Sequence, residues 1–185
     1  MRKAVSVAPD AILIKRLDDG QVDVYAEFRC FGEDGWEIPT MRGLFHPELY
    51  APQGIEAQAT PRQREWKRNA EQLADGFTQR CETLIRRRDE LATGGIDIKQ
   101  IRLANFKQGA RGTRLTITYQ REGDPFESKL SFHRRPEEGA RVMCFGAAAD
   151  EAEAHVQQML GLARAFLTTV NRERPGWDKE KEGGA

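Results

Sequence analysis

Between Ile98 and Arg121 the chain carries Lys99, Arg102, Lys107, Arg111, Arg114 and Arg121 and not one Asp or Glu. This is unusual in a protein whose 29 basic and 29 acidic residues cancel to a formal net charge of zero. Bulk charge therefore offers no attraction for a polyanion, and any such attraction has to come from a local patch. Gly109 and Gly112 flank Arg111, Phe106 precedes it and Tyr119 follows. Guanidinium groups donate in bidentate pairs, and the hydroxyls of Thr116 and Thr118, which share a strand face with Arg114, donate singly. Glycines let a backbone come close to its ligand. The chemistry that suits this set is contact with phosphate oxygens. The competing reading is a solvated sheet face whose cations are neutralised by acids from elsewhere in the fold.

Aromatic residues decide between kinds of polyanion. Tyr25, Arg29 and Phe31 fall on the polar side of an alternating segment, and Trp36 follows in a turn-flanked position. A basic groove with rings for base stacking, at about 1–3 kcal/mol per base, is what a single-stranded nucleic acid requires. The expected interface is thus Lys99, Arg102, Phe106, Lys107, Arg111, Arg114, Thr116 and Arg121 with Tyr25, Arg29, Phe31 and Trp36, acting without catalysis on single-stranded DNA or RNA. The competing role for Phe31 and Trp36 is to cover a sheet edge or an oligomer interface. If about four phosphates are neutralised on a single strand, log K should fall with log salt at a slope near −3.

Other chemistries find less support. Cys30, Cys81 and Cys144 are far apart and odd in number, with no CxxC pair, which points to free thiols in a reducing compartment. His46, His133 and His155 stand in no metal-ligand spacing, so no metal or other cofactor is expected. The glycines at 20, 32 and 35 form neither a dinucleotide fingerprint nor a P-loop. Asp124 with Glu127-Ser128-Lys129 superficially matches the acid–x–lysine of metal-dependent nucleases, but the two acids are too close along the chain for the usual two-strand arrangement. A metal-dependent nuclease is therefore a minor reading. Arg86, Arg87 and Arg88 point in different directions around a helix and read as a solvated surface.

The elements that must position these residues follow from periodicity. Ala11–Leu17 and Gln21–Phe31 read as strands joined by a tight turn at Asp18-Asp19-Gly20. A third strand is expected around Trp36–Phe45, where Pro39 suggests an edge or a bulge. His46 to Ala59 reads as a loop. A long amphipathic helix begins with Thr60 as N-cap, Pro61 at the first position and Gln63 closing a capping box. Its apolar stripe includes Trp66, Ala70, Leu73, Phe77, Cys81, Leu84 and Leu91, and it ends near Ala92 before Gly94-Gly95. Gly76 suggests a kink or a split in it. Strands are expected again over Ile96–Phe106, Thr113–Gln120 and Phe126–His133, with Phe126, Leu130 and Phe132 inward, and a short fourth over Arg141–Phe145. The last helix spans about Ala148 to Arg172, with Val156, Met159, Leu160, Ala163, Phe166, Leu167 and Val170 as its stripe.

The expected fold class is therefore α+β: antiparallel sheet units each followed by a long amphipathic helix, with residues 1–173 as one domain. The order suggests a pseudo-duplication of halves 11–92 and 96–172, although no residue-level match links them. Residues 174–185, rich in Lys, Glu and Gly, read as a disordered tail. Each half must cover a sheet face and a helix stripe, by packing on the other half or by pairing with a second chain. Two successive sheet-then-helix units in a chain of this size resemble the Whirly and PUR-type folds of single-stranded nucleic-acid binders. The resemblance rests on element order; the Whirly lysine-glycine-lysine signature is absent, so it transfers no functional residue. The alternative function is a protein–protein adaptor or inhibitor acting as a helix-mediated homo-oligomer, with the sheet or Trp177 engaging a protein partner. No signal peptide and no membrane-length apolar run is found, so a cytoplasmic address without membrane contact is expected.

Overall fold

The computed structural model describes residues 6–18, 20–31, 33–34, 37–45, 61–88, 94–104, 113–133 and 149–172, with the side chains of 6–9, 28–31, 37–45, 62, 63, 66, 133, 149, 150 and 168–172 outside that description. The fold is α+β. Its elements are β1 (Ser6–Arg16), β2 (Val22–Phe31), β3 (Glu37–Phe45), α1 (Pro61–Arg88), β4 (Ile96–Ala104), β5 (Arg114–Arg121), β6 (Glu127–His133) and α2 (Ala149–Arg172). The strands form one antiparallel sheet in the order β3-β2-β1-β4-β5-β6. The two sets of three strands meet where β1 pairs with β4, Ile14 opposite Ile101 and Ile12 opposite Leu103.

Local chemistry explains the connections. Gly20 adopts a φ of 82°, which an L side chain resists, and the Leu17 N–H donates to the Gln21 carbonyl at 2.9 Å to close the first hairpin. Gly123, also at a φ of 82°, turns β5 into β6. There the Asp124 N–H donates to the Arg121 carbonyl at 3.0 Å, and the Asp124 carboxylate accepts from the Phe126 N–H at 3.0 Å. This turn delays the strand to Glu127 and leaves Phe126 76% exposed, correcting its expected inward position. The first strand is longer than Ala11–Leu17: it starts at Ser6 and runs through Pro9 and Asp10, where the register with β2 shifts between Pro9 and Ala11. The extra residue of this bulge is Asp10, directly after Pro9, which has no N–H to give the ladder.

Both helices bury their stripes against the same face of the sheet. The core joins Ile12, Ile14, Val24, Ile101, Leu103, Leu115, Ile117, Leu130 and Phe132 from the strands to Phe77, Cys81, Leu84 and Ile85 of α1. From α2 come Val156, Met159, Leu160, Ala163, Phe166 and Leu167. Helix α1 runs unbroken through Gly76, so the expected split into two helices is not formed. Gly76 instead permits close approach, because a Cβ there would lie 3.3 Å from Leu162 Cδ1 of α2. Polar links tie the helices at their rim, with Arg80 Nε donating to Gln158 Oε1 at 3.0 Å and Arg87 paired with Glu151 at 3.1 Å. Arg16 ties β1 to α1, donating to Thr78 Oγ1 at 3.2 Å. The expected N-cap at Thr60, the helix end near Ala92, the extra strand over Arg141–Phe145 and the tail all fall outside the described residues.

Candidate nucleic-acid interface

The face of the sheet opposite the helices is where the polar halves of the strands collect. Alternation sets this directly: with Ile101, Leu103, Leu115 and Ile117 buried against the helices, Arg102, Arg114, Thr116 and Thr118 must point the other way. Register aligns these residues in rows that cross the sheet. Tyr25, Leu13, Arg102, Thr116 and Ser131 form one row, and Asp23, Lys15, Gln100, Thr118 and Lys129 form the next. A third row brings Glu27, Ala11, Ala104, Arg114 and His133 into line.

The four described cations of the acid-free stretch have different environments. Arg102 Nη2 lies 3.1 Å from Glu27 Oε2, a partner on β2 that reaches it across β1. Lys99 sits at a register shift between Ile98 and Gln100 and pairs with Asp97. The hydrogen bond and charge of Asp97 raise the Lys99 pKa above its ordinary value, with Asp18 and Glu127 adding smaller contributions. Arg121 lies on the helix-covered side, like the buried Tyr119 two residues before it. Its guanidinium stands 5.9 Å from that ring's centroid, with Nη2 3.5 Å from Tyr119 Oη. Arg114 is exposed on the open face and forms no ion pair with a described residue. Thr116 is half-buried beside it, and Thr118 is buried.

The fold therefore brings Arg102, Arg114 and Thr116 together with Tyr25 on one face and sends Arg121 to the other. Tyr25 is half-buried, with Lys15 Nζ 5.6 Å from its ring centroid, which orients the ring and places a cation beside it. Arg29 is opposite Arg42 in the β2–β3 register, and Phe31 is opposite Glu37; nothing further is described of these side chains. Phe106, Lys107, Arg111 and Trp36 lie outside the described residues. Segment 105–112 joins β4 to β5 at the sheet end where Arg114 stands.

Two residues of this face escaped the sequence reading. Lys129 and Ser131 on β6 are both exposed and alternate with the buried Leu130 and Phe132. That alternation is visible in the sequence, where Lys129 stands out only as part of a nuclease-like fragment. In that fragment the Asp124 carboxylate is engaged in the turn, accepting from Phe126 N–H. Among the described residues no three His, Cys, Asp or Glu side chains cluster in a way that could hold a metal ion. Likewise, no described helix is long and apolar enough to cross a membrane. No protein-family model matches the chain, and no curated protein matches it.

Proposed function

We propose that the chain is a non-catalytic binder of single-stranded nucleic acid and that the open face of the sheet is its interface. One observation carries the reading: both helices lie on one face of the sheet, and the other face presents exposed Arg114 beside Thr116, with the Tyr25 ring in the row through Thr116. An antiparallel face free of the two described helices offers a platform on which bases can stack while cations at its margin hold phosphates. Arg102 contributes less than its sequence suggested, since Glu27 already offsets its charge. Lys107 and Arg111 add cationic sequence to the segment that ends beside Arg114. The pseudo-duplicated reading belongs to the same proposal: the strand order β3-β2-β1-β4-β5-β6 runs outward symmetrically from the β1–β4 pair, as two fused sheet–helix units would.

The adaptor reading has less behind it. A helix-mediated oligomer needs apolar helix surface left over after folding, whereas the described members of the stripes, Ala70 to Ile85 of α1 and Val156 to Leu167 of α2, are buried in the core of the chain itself. The test is fluorescence anisotropy with a labelled single strand, a duplex and an RNA at two salt concentrations. Preferential binding of single strands with a clear salt dependence, both reduced by Arg114→Glu and by Arg111→Glu, supports the reading. Binding that ignores salt, or none at all, removes it.

A further inference from the structure

Resting on the reading above, we propose that three consecutive phosphates of the single strand track along β5 and β6, the first at Arg114, the second between Thr116 and Ser131, and the third at Lys129. Register places these groups in order: Arg114 opposite His133, Thr116 opposite Ser131, and Thr118 opposite Lys129. Residues two apart on a strand stand on the same face about 7 Å from each other, and neighbouring strands lie about 5 Å apart. The groups thus form a ladder of cation, hydroxyl pair and cation with a rung about every 7 Å. That step is comparable to the spacing of phosphates in an extended single strand.

Burial refines the ladder. Thr118 is covered, so on the third rung only Lys129 reaches solvent; Ser131 and Arg114 are exposed, and Thr116 is half-buried. Neither Arg114 nor Lys129 makes an ion pair with a described residue, whereas the acids of the β1–β2 half include Glu27, which is held by Arg102. Arg114 and Lys129 thus stand on the β5–β6 margin as exposed cations without an ion-pair partner among the described residues. Glu127, exposed and one rung beyond Lys129 opposite Gln120, repels a fourth phosphate and ends the track.

The test uses the full chain, short oligothymidylates of increasing length and inorganic polyphosphate as competitor. On a single strand each lost charge contact removes about 0.7 from the slope of log K against log salt, which is about a fivefold loss of affinity near 0.1 M salt. Lys129→Gln is expected to show that loss, Ser131→Ala a smaller one with the slope unchanged, and Glu127→Lys a gain of about fivefold with a steeper slope. All three positions are exposed, so thermal unfolding should be little changed. If wild-type protein binds no single strand, the proposed function itself fails. If it binds with a salt-dependent slope that Lys129→Gln and Glu127→Lys leave untouched, the track alone is wrong and the nucleic acid lies elsewhere on the face. Polyphosphate, with its shorter repeat, should compete weakly; equal competition per charge would overturn the spacing argument. A wild-type dimer that Lys129→Gln dissociates would also overturn it, by giving the face to a second copy.

Discussion

Glu27→Gln separates the two roles that Arg102 can play. In the folded chain Arg102 Nη2 lies 3.1 Å from Glu27 Oε2, with side chains 38% and 25% exposed. Such a pair sits between the exposed regime, worth about 0–1 kcal/mol, and the buried one, where removing a partner costs about 3–5 kcal/mol. Water reaches both groups, so screening discounts the Coulomb term and the loss should be about 1 kcal/mol. Glutamine retains an acceptor oxygen, which lets the guanidinium hold its position while its charge is released. Arg102 stands in the row that includes Tyr25, Thr116 and Ser131, so the released charge faces the proposed ligand. One additional phosphate contact steepens the salt slope by about 0.7, a gain of about fivefold in affinity for a single strand near 0.1 M salt. Urea unfolding reads the first effect and anisotropy at several salt concentrations the second. A variant that is destabilised as expected but binds with unchanged affinity and slope would refute the placement of the ligand across this row.

Three further expectations concern the scaffold. A Cβ at Gly161 of α2 meets nothing within 4 Å, so Gly161→Ala should raise stability by about 1 kcal/mol through helix propensity alone, read as a higher urea midpoint. Phe77 is fully buried between α1 and the sheet, and Phe77→Ala should cost about 3–5 kcal/mol in the same assay; a loss below 1 kcal/mol would contradict the position of the core. Burial, with Glu82 adding to it, pushes the Cys81 thiol well above its ordinary range. The folded state therefore keeps this proton where the unfolded chain, ionising near 9.0, gives it up: the associated stability is fully present below that pH and is lost as pH rises beyond it. Peptide mapping after iodoacetamide treatment at pH 8 should find Cys81 unmodified until the protein unfolds, and rapid modification of the native chain would contradict the burial.

What the sequence disclosed is what periodicity controls. The first hairpin was legible because Asp18-Asp19-Gly20 needs a positive φ, and Gly20 has one. The α2 stripe was legible because Val156, Met159, Leu160, Ala163, Phe166 and Leu167 recur at helical spacing, and all are buried. Failures came where local pattern competes with hydrogen bonding or with contacts distant in sequence. Phe126 continues the alternation of Leu130 and Phe132, but Asp124 captures its N–H and starts the strand one residue later. The first strand reads as starting at Ala11, yet β1 begins at Ser6 and continues past Pro9 through a bulge at Asp10. Gly76 reads as a weak point in a helix until Leu162, distant in sequence, is found against it. The candidate interface was legible in part for the same reason. Alternation put Arg114 and Thr116 on a polar face, but it could not show that Glu27 reaches Arg102, because that contact depends on β1 and β4 pairing across the middle of the sheet.

The central claim is that positive charge left uncancelled on the helix-free face holds a single-stranded polynucleotide. The most direct test is the salt dependence of oligothymidylate binding measured in parallel for the wild-type chain and for Arg114→Glu combined with Lys129→Glu. Two phosphate contacts require a wild-type slope at least as steep as about −1.4, and the double variant should lose that much of it. Equal slopes for the two proteins, or no measurable binding by the wild type, would contradict the claim.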